Sequence, residues 1–174
     1  MKILETKRLS LRKLEQTDFK DLAEILQDPL VMYAYEHTFT DEDVQEWLDR
    51  QRMRYDKYGF GLWAMILKET GQMIGQAGIT MQPYKGGEVL EIGYLLKYKY
   101  WHQGYAREAA MGCKQYAFET LKADKVHSVI KSDNYASMRV AESIGMRKID
   151  EFITQYYNGD MLHYLYAVES SDDK

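Results

Sequence analysis

Glu91–Glu108, written EIGYLLKYKYWHQGYARE, is the stretch on which the reading of this chain turns. It starts as a strand, crosses a short polar link and ends in the first turn of a helix. Gly104 and the small Ala106 stand where that helix opens. The first N–H groups of a helix have no partner inside it and carry the positive end of its dipole. A glycine and small side chains let an anion approach that backbone, so strand–Gly–helix is a recipe for holding phosphate.

Outward from this stretch, the pattern can be read in both directions. Toward the N-terminus, Arg8–Leu14 alternates apolar and polar residues and predicts a first strand. Thr17 or Asp18 can cap a helix carrying Phe19, Leu22, Ala23, Ile25 and Leu26, which Asp28-Pro29 stops. Leu30–Phe39 is aromatic and irregular. Thr40 caps a second helix with Val44, Trp47, Leu48, Gln51 and Tyr55 on one face, closed by Gly59. Leu62–Leu67 and Met73–Met81 predict strands joined at Glu69–Gln72, and Pro83 with Gly86-Gly87 breaks the chain before a strand over Val89–Leu96.

Toward the C-terminus, Tyr105–Leu121 has a helical apolar period and Lys125–Ile130 is a strand. Ser132-Asp133-Asn134 is a capping signal for a helix through Ile144, closed by Gly145. Arg147–Tyr156 and Met161–Val168 are strands around Asn158-Gly159, the preferred pair of a tight hairpin turn. The acidic tail Glu169–Lys174 reads as a frayed end. Strands on both sides of a crossover helix imply an α/β (α+β) architecture, a mixed sheet with helices on both faces. No repeat, linker or low-complexity segment divides residues 1–174, so one domain is expected.

Tyr100-Trp101-His102-Gln103-Gly104-Tyr105-Ala106-Arg107-Glu108-Ala109, preceded by Glu91-Ile92-Gly93-Tyr94, resembles the pyrophosphate-binding segment of the GNAT acetyltransferase superfamily. Within it, the segment is similar to that of the ribosomal-protein N-terminal (alanine) acetyltransferases. His102 stands where those proteins usually have glycine, and Gln103 where a basic residue is usual. The order of elements also matches, so the likeness spans nearly the whole chain. It implies a GNAT-like, mostly antiparallel sheet that splays at its centre. It also implies acetyl-CoA (coenzyme A) as cofactor and an amine acceptor, a protein N-terminus or a small molecule.

On the strand, Leu90, Ile92, Tyr94 and Leu96 fall on one face, and Glu91, Gly93 and Leu95 on the other. Glu91 beside an apolar neighbour and a bare glycine would have a raised pKa and could serve as a base; a cross-strand ion pair is the competing reading. The resemblance implies that backbone groups of Tyr94, Leu95 and Leu96 pair with the pantetheine arm like an added strand. A backbone N–H here would also stabilise an oxyanion. It further implies that Trp101, His102, Gln103, Gly104, Tyr105, Ala106 and Arg107 wrap the diphosphate. Asn134-Tyr135-Ala136-Ser137 is similar to the family's Asn-x-x-Ser helix start, which implies cofactor contact by Asn134 and Ser137. Many relatives carry an acid tyrosine further along this helix, where this chain has Ala141. Ser137 becomes the acid candidate, or Tyr135 reaches in; plain capping is the alternative for the pair Asn134 and Ser137. In relatives the region around Tyr33, Tyr35, Glu36 and His37 walls the acceptor pocket, and those four are candidate acceptor contacts.

Other signals point elsewhere or nowhere. Gly59–Ala64 formally fits a dinucleotide fingerprint but ends a helix and opens a strand, the reverse of what that site needs. His37, His102, His127 and His163 show no metal-ligand spacing, so no metal is expected. Cys113 lies among alanines on the buried side of a helix and reads as core. A net charge of −4 argues against nucleic acid or an anionic membrane, and a mildly acidic surface could favour a cationic substrate. One cysteine, no apolar leader and no run of about 18 apolar residues suit a cytoplasmic protein, monomer or homodimer. A non-catalytic acyl-CoA-binding sensor or interaction module is the alternative to an enzyme.

Overall fold

The computed structural model describes residues 1–173 and every side chain among them but that of Tyr156. Eight strands form one sheet: β1 Lys2–Glu5, β2 Leu9–Arg12, β3 Leu62–Leu67, β4 Met73–Tyr84, β5 Gly87–Leu96, β6 Lys125–Lys131, β7 Arg147–Tyr156 and β8 Gly159–Glu169. Their order across the sheet is β1-β2-β3-β4-β5-β6-β8-β7. Every neighbouring pair is antiparallel except β5–β6, which is parallel. The four helices are α1 Phe19–Leu26, α2 Asp41–Tyr58, α3 Tyr105–Glu119 and α4 Tyr135–Ser143. The expected mixed, mostly antiparallel sheet with helices on both faces is present.

Two apolar cores sit on the two sides. Leu22, Ile25 and Leu26 of α1 and Val44, Trp47 and Leu48 of α2 pack with Leu62, Ala64 and Met73. Ala109, Ala110, Cys113 and Ala117 of α3 pack with Trp63, Met65 and Ile92. The alternation read along β5 is real: Ile92 and Leu96 enter the α3 core, and Leu95 packs against the α1–α2 core. Burial pushes the Cys113 thiol up to about 12, as suits a small core residue.

Several expectations shift. Asp18 does not cap α1 with its side chain. It is buried and takes a bidentate pair of hydrogen bonds from Arg12, at 2.8 and 2.9 Å. Thr40 does cap α2, accepting from the Asp43 amide at 3.2 Å while Asp43 accepts from the Thr40 amide at 2.9 Å. Strand β4 runs on through Pro83, because past Gly78 its only ladder partner is β5, and proline can occupy an edge. Lys85 and Gly86, both at positive φ, form the two-residue turn to β5. The last hairpin turns at Tyr157 and Asn158, one residue earlier than expected, and Gly159 (φ +103°) opens β8. Strand β1 escaped the sequence reading because four residues are too few to show a period.

The acidic tail is not frayed. It leaves β8 through a short 3₁₀ turn, Ser170–Asp172, and returns to the core at Asp173. There the buried Lys114 ammonium donates to the Asp173 carboxylate at 2.5 Å and to the Ile144 carbonyl at 2.9 Å. A buried lysine needs such partners, so the tail is held by an internal charge that patterning does not reveal. Lys174 lies outside the described residues.

Candidate active site

The centre of the sheet comes apart at β5–β6. The two strands share a single bridge, Glu91 with His127. Beyond it, side chains take the places of ladder partners. The Glu91 carboxylate accepts the Val129 N–H at 2.6 Å, and the Ser128 hydroxyl donates to the Ile92 carbonyl at 3.0 Å. A carboxylate standing where a backbone carbonyl would sit keeps the strands too far apart to zip.

The parity of β5 then decides which peptide groups face the gap. The Lys97 amide donates to the Ile74 carbonyl of β4 at 2.9 Å, so odd-numbered peptides of β5 turn toward β4. Even-numbered ones turn toward β6. The Leu90 carbonyl meets His127 Nδ1 at 3.2 Å, Ile92 has Ser128, and the Leu96 carbonyl accepts from the Trp101 indole at 3.1 Å. That leaves Tyr94, whose N–H and C=O face the gap with no ladder partner among the described residues. Of the three residues expected to offer backbone groups, Tyr94 does so fully. Leu96 has its carbonyl occupied, and Leu95 has its peptide turned to Gln76 of β4.

Two cavities flank this gap and share Tyr94, Leu95, Asn134 and Ser137 in their walls. The smaller, about 340 Å³, runs from these residues to the N-terminus of α3. Leu96, Trp101, His102, Gly104, Tyr105, Ala106 and Arg107 line it as expected, and Arg139 of α4 adds a second guanidinium that the sequence reading missed. Among the described residues, none that lines this cavity is acidic. Gly104 is the N-cap of α3 at φ +80°. The first amide bonded within the helix is that of Glu108, to the Gly104 carbonyl at 3.0 Å. The N–H groups of Tyr105, Ala106 and Arg107 are thus unspent, at the positive end of the helix. His102 takes φ +61°, so the residue standing in place of the family's glycine adopts a backbone that glycine would favour. Gln103 is not in the wall: its amide donates to the Lys99 carbonyl at 3.1 Å.

The loop is trussed from behind by residues that sequence alone did not single out. Arg8 donates from Nη1 to the Gln103 carbonyl at 3.0 Å and from Nε to Glu108 Oε2 at 2.7 Å. Its guanidinium lies 4.2 Å from the centre of the Tyr105 ring. Glu108 Oε1 also accepts from the Arg8 amide at 2.7 Å and the Thr6 hydroxyl at 2.5 Å. These hydrogen bonds hold the Glu108 carboxyl below its ordinary range against the opposing effect of burial. Arg8 and Glu108 are 100 residues apart, and no local period links them.

The larger cavity, about 600 Å³, lies on the α1–α2 side of the gap. Glu91 lines it. Burial pushes the Glu91 carboxyl up to about 7, offset in part by the Val129 amide, by Arg54 and by the Thr80 hydroxyl. The competing reading, a cross-strand ion pair, is not formed among the described residues; the carboxylate bonds to a backbone amide instead. Gly93 leaves this wall bare, with Leu62 the nearest side chain to where a Cβ would stand, at 3.5 Å.

Of the four candidate acceptor contacts, Tyr35 alone lines this cavity. Tyr33 lines the smaller one, where its hydroxyl donates to Asn134 Oδ1 at 2.7 Å. Glu36 pairs with Lys131 at 2.9 Å, and its carbonyl accepts from the Asn158 amide at 2.6 Å. His37 lies 3.1 Å from Asp43 and stacks on Tyr157 at 3.9 Å between ring centres. Glu36 and His37 thus tie their loop to the β7–β8 hairpin and to α2, while Tyr157 and Arg50, unforeseen, enter the cavity wall. Asn134 and Ser137 meet as capping predicts, Oδ1 accepting from the Ser137 amide at 3.3 Å. Tyr135 is 64% exposed and lines neither cavity, and Ala141 is buried.

Residues 8–147 match the family model described as an acetyltransferase (GNAT) domain. The Bacillus subtilis protein YkkB is 38% identical over 144 residues, spanning 82% of this chain and 84% of its own. YnaD, an N-acetyltransferase by name from the same organism, is 31% identical over 147 residues, 83% of this chain and 82% of its own. The crystal structure of a GNAT acetyltransferase from Bacillus anthracis superposes with a TM-score of 0.81 at 30% identity, covering 98% of this chain and 99% of that one. With a gap in the sheet, an unpaired strand edge and a helix N-terminus with unspent amides already in place, these matches establish that the chain belongs to the GNAT acetyltransferase family and is an N-acetyltransferase.

Proposed function

We propose that the smaller cavity holds acetyl-CoA and the larger one a primary amine, and that acetyl passes between them at the shared wall of Tyr94, Leu95, Asn134 and Ser137. The observation that carries this reading is that two cavities meet where β5 and β6 part and the Tyr94 peptide stands unpaired. The residues present suit the cofactor. Unspent helix N–H groups with Arg107 and Arg139 match a diphosphate, and the Tyr94 peptide matches the amide of an extended arm. Acetyl-CoA supplies a thioester carbonyl activated by a thiolate leaving group.

The chain's own residues supply the proton transfers. An α-amino group has a pKa of about 8 and a lysine about 10.4, so the acceptor enters mostly protonated. Glu91, with its carboxyl near 7, removes that proton, directly or through one water. The neutral amine then attacks without an enzyme nucleophile. Among the hydroxyls at or beside the shared wall, that of Tyr33 is spent on Asn134 and that of Tyr94 on the Ser137 carbonyl at 3.0 Å. The Ser137 hydroxyl makes no hydrogen bond to protein among the described residues and is the group that protonates the departing sulfur. Asn134 holds Ser137 and Tyr33 in place through one oxygen.

The test is an acceptor screen that reads thiol release from acetyl-CoA over peptides, polyamines and amino acids. Acetylation of at least one amine class is expected, with Ser137→Ala slower and binding of CoA retained. Failure of CoA to bind at all, by calorimetry, would remove the reading.

A further inference from the structure

The ionisable groups on the wall of the larger cavity, tyrosines aside, are Arg50, Arg54, Lys131, Glu91 and His163. Lys131 is matched by Glu36 at 2.9 Å and Asp133 at 3.2 Å. Burial lowers the pKa of His163, which keeps it neutral. The two arginines are different. They lie one turn apart on α2, where like charges at i and i+4 repel. Arg54 is partly buried, and the single hydrogen bond shown for its guanidinium is to Gln51, at 3.1 Å. Among the described residues neither guanidinium has a carboxylate within ion-pair distance, and Glu46 and Asp49 of the same helix stay off the wall. Burial and Arg50 together lower the Arg54 pKa and outweigh the opposing pull of Glu91, so the one carboxylate on this wall does not balance the two cations.

A protein seldom sets two cations side by side on a cavity wall, one of them desolvated, without an anion to meet them. The chain is acidic overall, so this wall runs against its surroundings. Resting on the reading of this cavity as the acceptor site, we infer that the acceptor is a primary amine that also carries a carboxylate. The amine meets Glu91 and the carboxylate meets the forks of Arg50 and Arg54. This narrows the sequence-based expectation of an amine acceptor, for which the acidic overall charge had suggested only a cationic substrate. Either a free amino acid or a peptide with an acidic residue near its N-terminus presents that chemistry.

The experiment compares matched amines with the full-length protein and acetyl-CoA. Phenylalanine is set against phenethylamine, glutamate against its dimethyl ester, and a Ser-Asp peptide against the Ser-Asn one. Binding of each to the CoA-saturated protein is followed by calorimetry. The carboxylate member of at least one pair is expected to have a kcat/KM about tenfold or more above its neutral partner, the scale of one hydrogen bond to a charged group. Arg50→Gln/Arg54→Gln removes that preference chiefly through KM, and Arg54→Lys restores part of it. The pair that responds separates the free amino acid from the peptide. Turnover with no preference, or a preference for the neutral partner, overturns this inference and leaves the transferase reading standing. If CoA binds and no amine reacts, the transferase reading fails instead. The inference is then decided by binding: upheld by selective binding of carboxylate-bearing amines, lost without it.

Discussion

The carboxylate of Glu91 accepts the amide hydrogen of Val129 at 2.6 Å, and through that one bond it both parts two strands and is itself positioned. A glutamine can accept the same hydrogen, so the strand gap and the proton chemistry can be separated by mutation.

Glu91→Gln should keep the fold and CoA binding while lowering kcat/KM by about 10²-fold, the lower end for loss of a general base. With the carboxyl near 7, wild-type kcat/KM should rise with pH through that value, and the variant should lose that rise. Stability should show the same group. The folded-state pKa is raised above the unfolded value, so Glu91 favours folding below about 4.5 and progressively disfavours it as pH climbs to 7. Glu91→Gln should therefore gain stability over wild type above pH 7 and little at pH 4. Thermal unfolding at the two pH values checks this; an unchanged difference would mean that Glu91 is not desolvated.

Gly104 sits at φ +80°, and an added Cβ would lie 3.3 Å from Arg8 Nη2. A left-handed backbone costs a non-glycine residue roughly 1–2 kcal/mol. Gly104→Ala should weaken CoA binding about tenfold as the loop relaxes, with thermal stability lowered by a comparable free energy. Calorimetry with CoA reads the affinity directly.

Glu108 holds Thr6 and Arg8 against the loop. Glu108→Ala should cost about 2–3 kcal/mol of stability, because it strips a partly buried guanidinium and a hydroxyl of their acceptor at once. CoA affinity should fall too, although Glu108 does not line the cavity. In a double-mutant cycle, Arg8→Ala and Glu108→Ala should be strongly non-additive. Additive losses would show that the two act independently.

Asp173→Asn removes the counter-charge of the buried Lys114. The expected loss is about 1–2 kcal/mol, or roughly 3–6 °C in Tm for a chain of this size. Acetyl transfer should be unaffected. A melting temperature equal to wild type would return the tail to the status of a frayed end.

Local chemistry made much of this protein legible in its sequence. The 3.6-residue and two-residue periods located α1 to α4 and most strands, Thr40 and Asn134 announced their helices, and Gly104 with Ala106 marked the open N-terminus of α3. The alternation along β5 put Glu91 on the correct face beside Gly93. Each of these rests on neighbours a few residues apart. The rest depended on residues brought together from far along the chain: Arg8 behind the loop, Arg139 beside it, Arg50 and Tyr157 in the larger cavity, and Asp173 on Lys114. Tyr33 moved from one cavity to the other, and Glu36 and His37 left the wall, because an irregular loop has no period to aim its side chains. Sequence set which elements form and which face each presents; the packing of those elements decided which charges stand unmatched, and so what each cavity can receive.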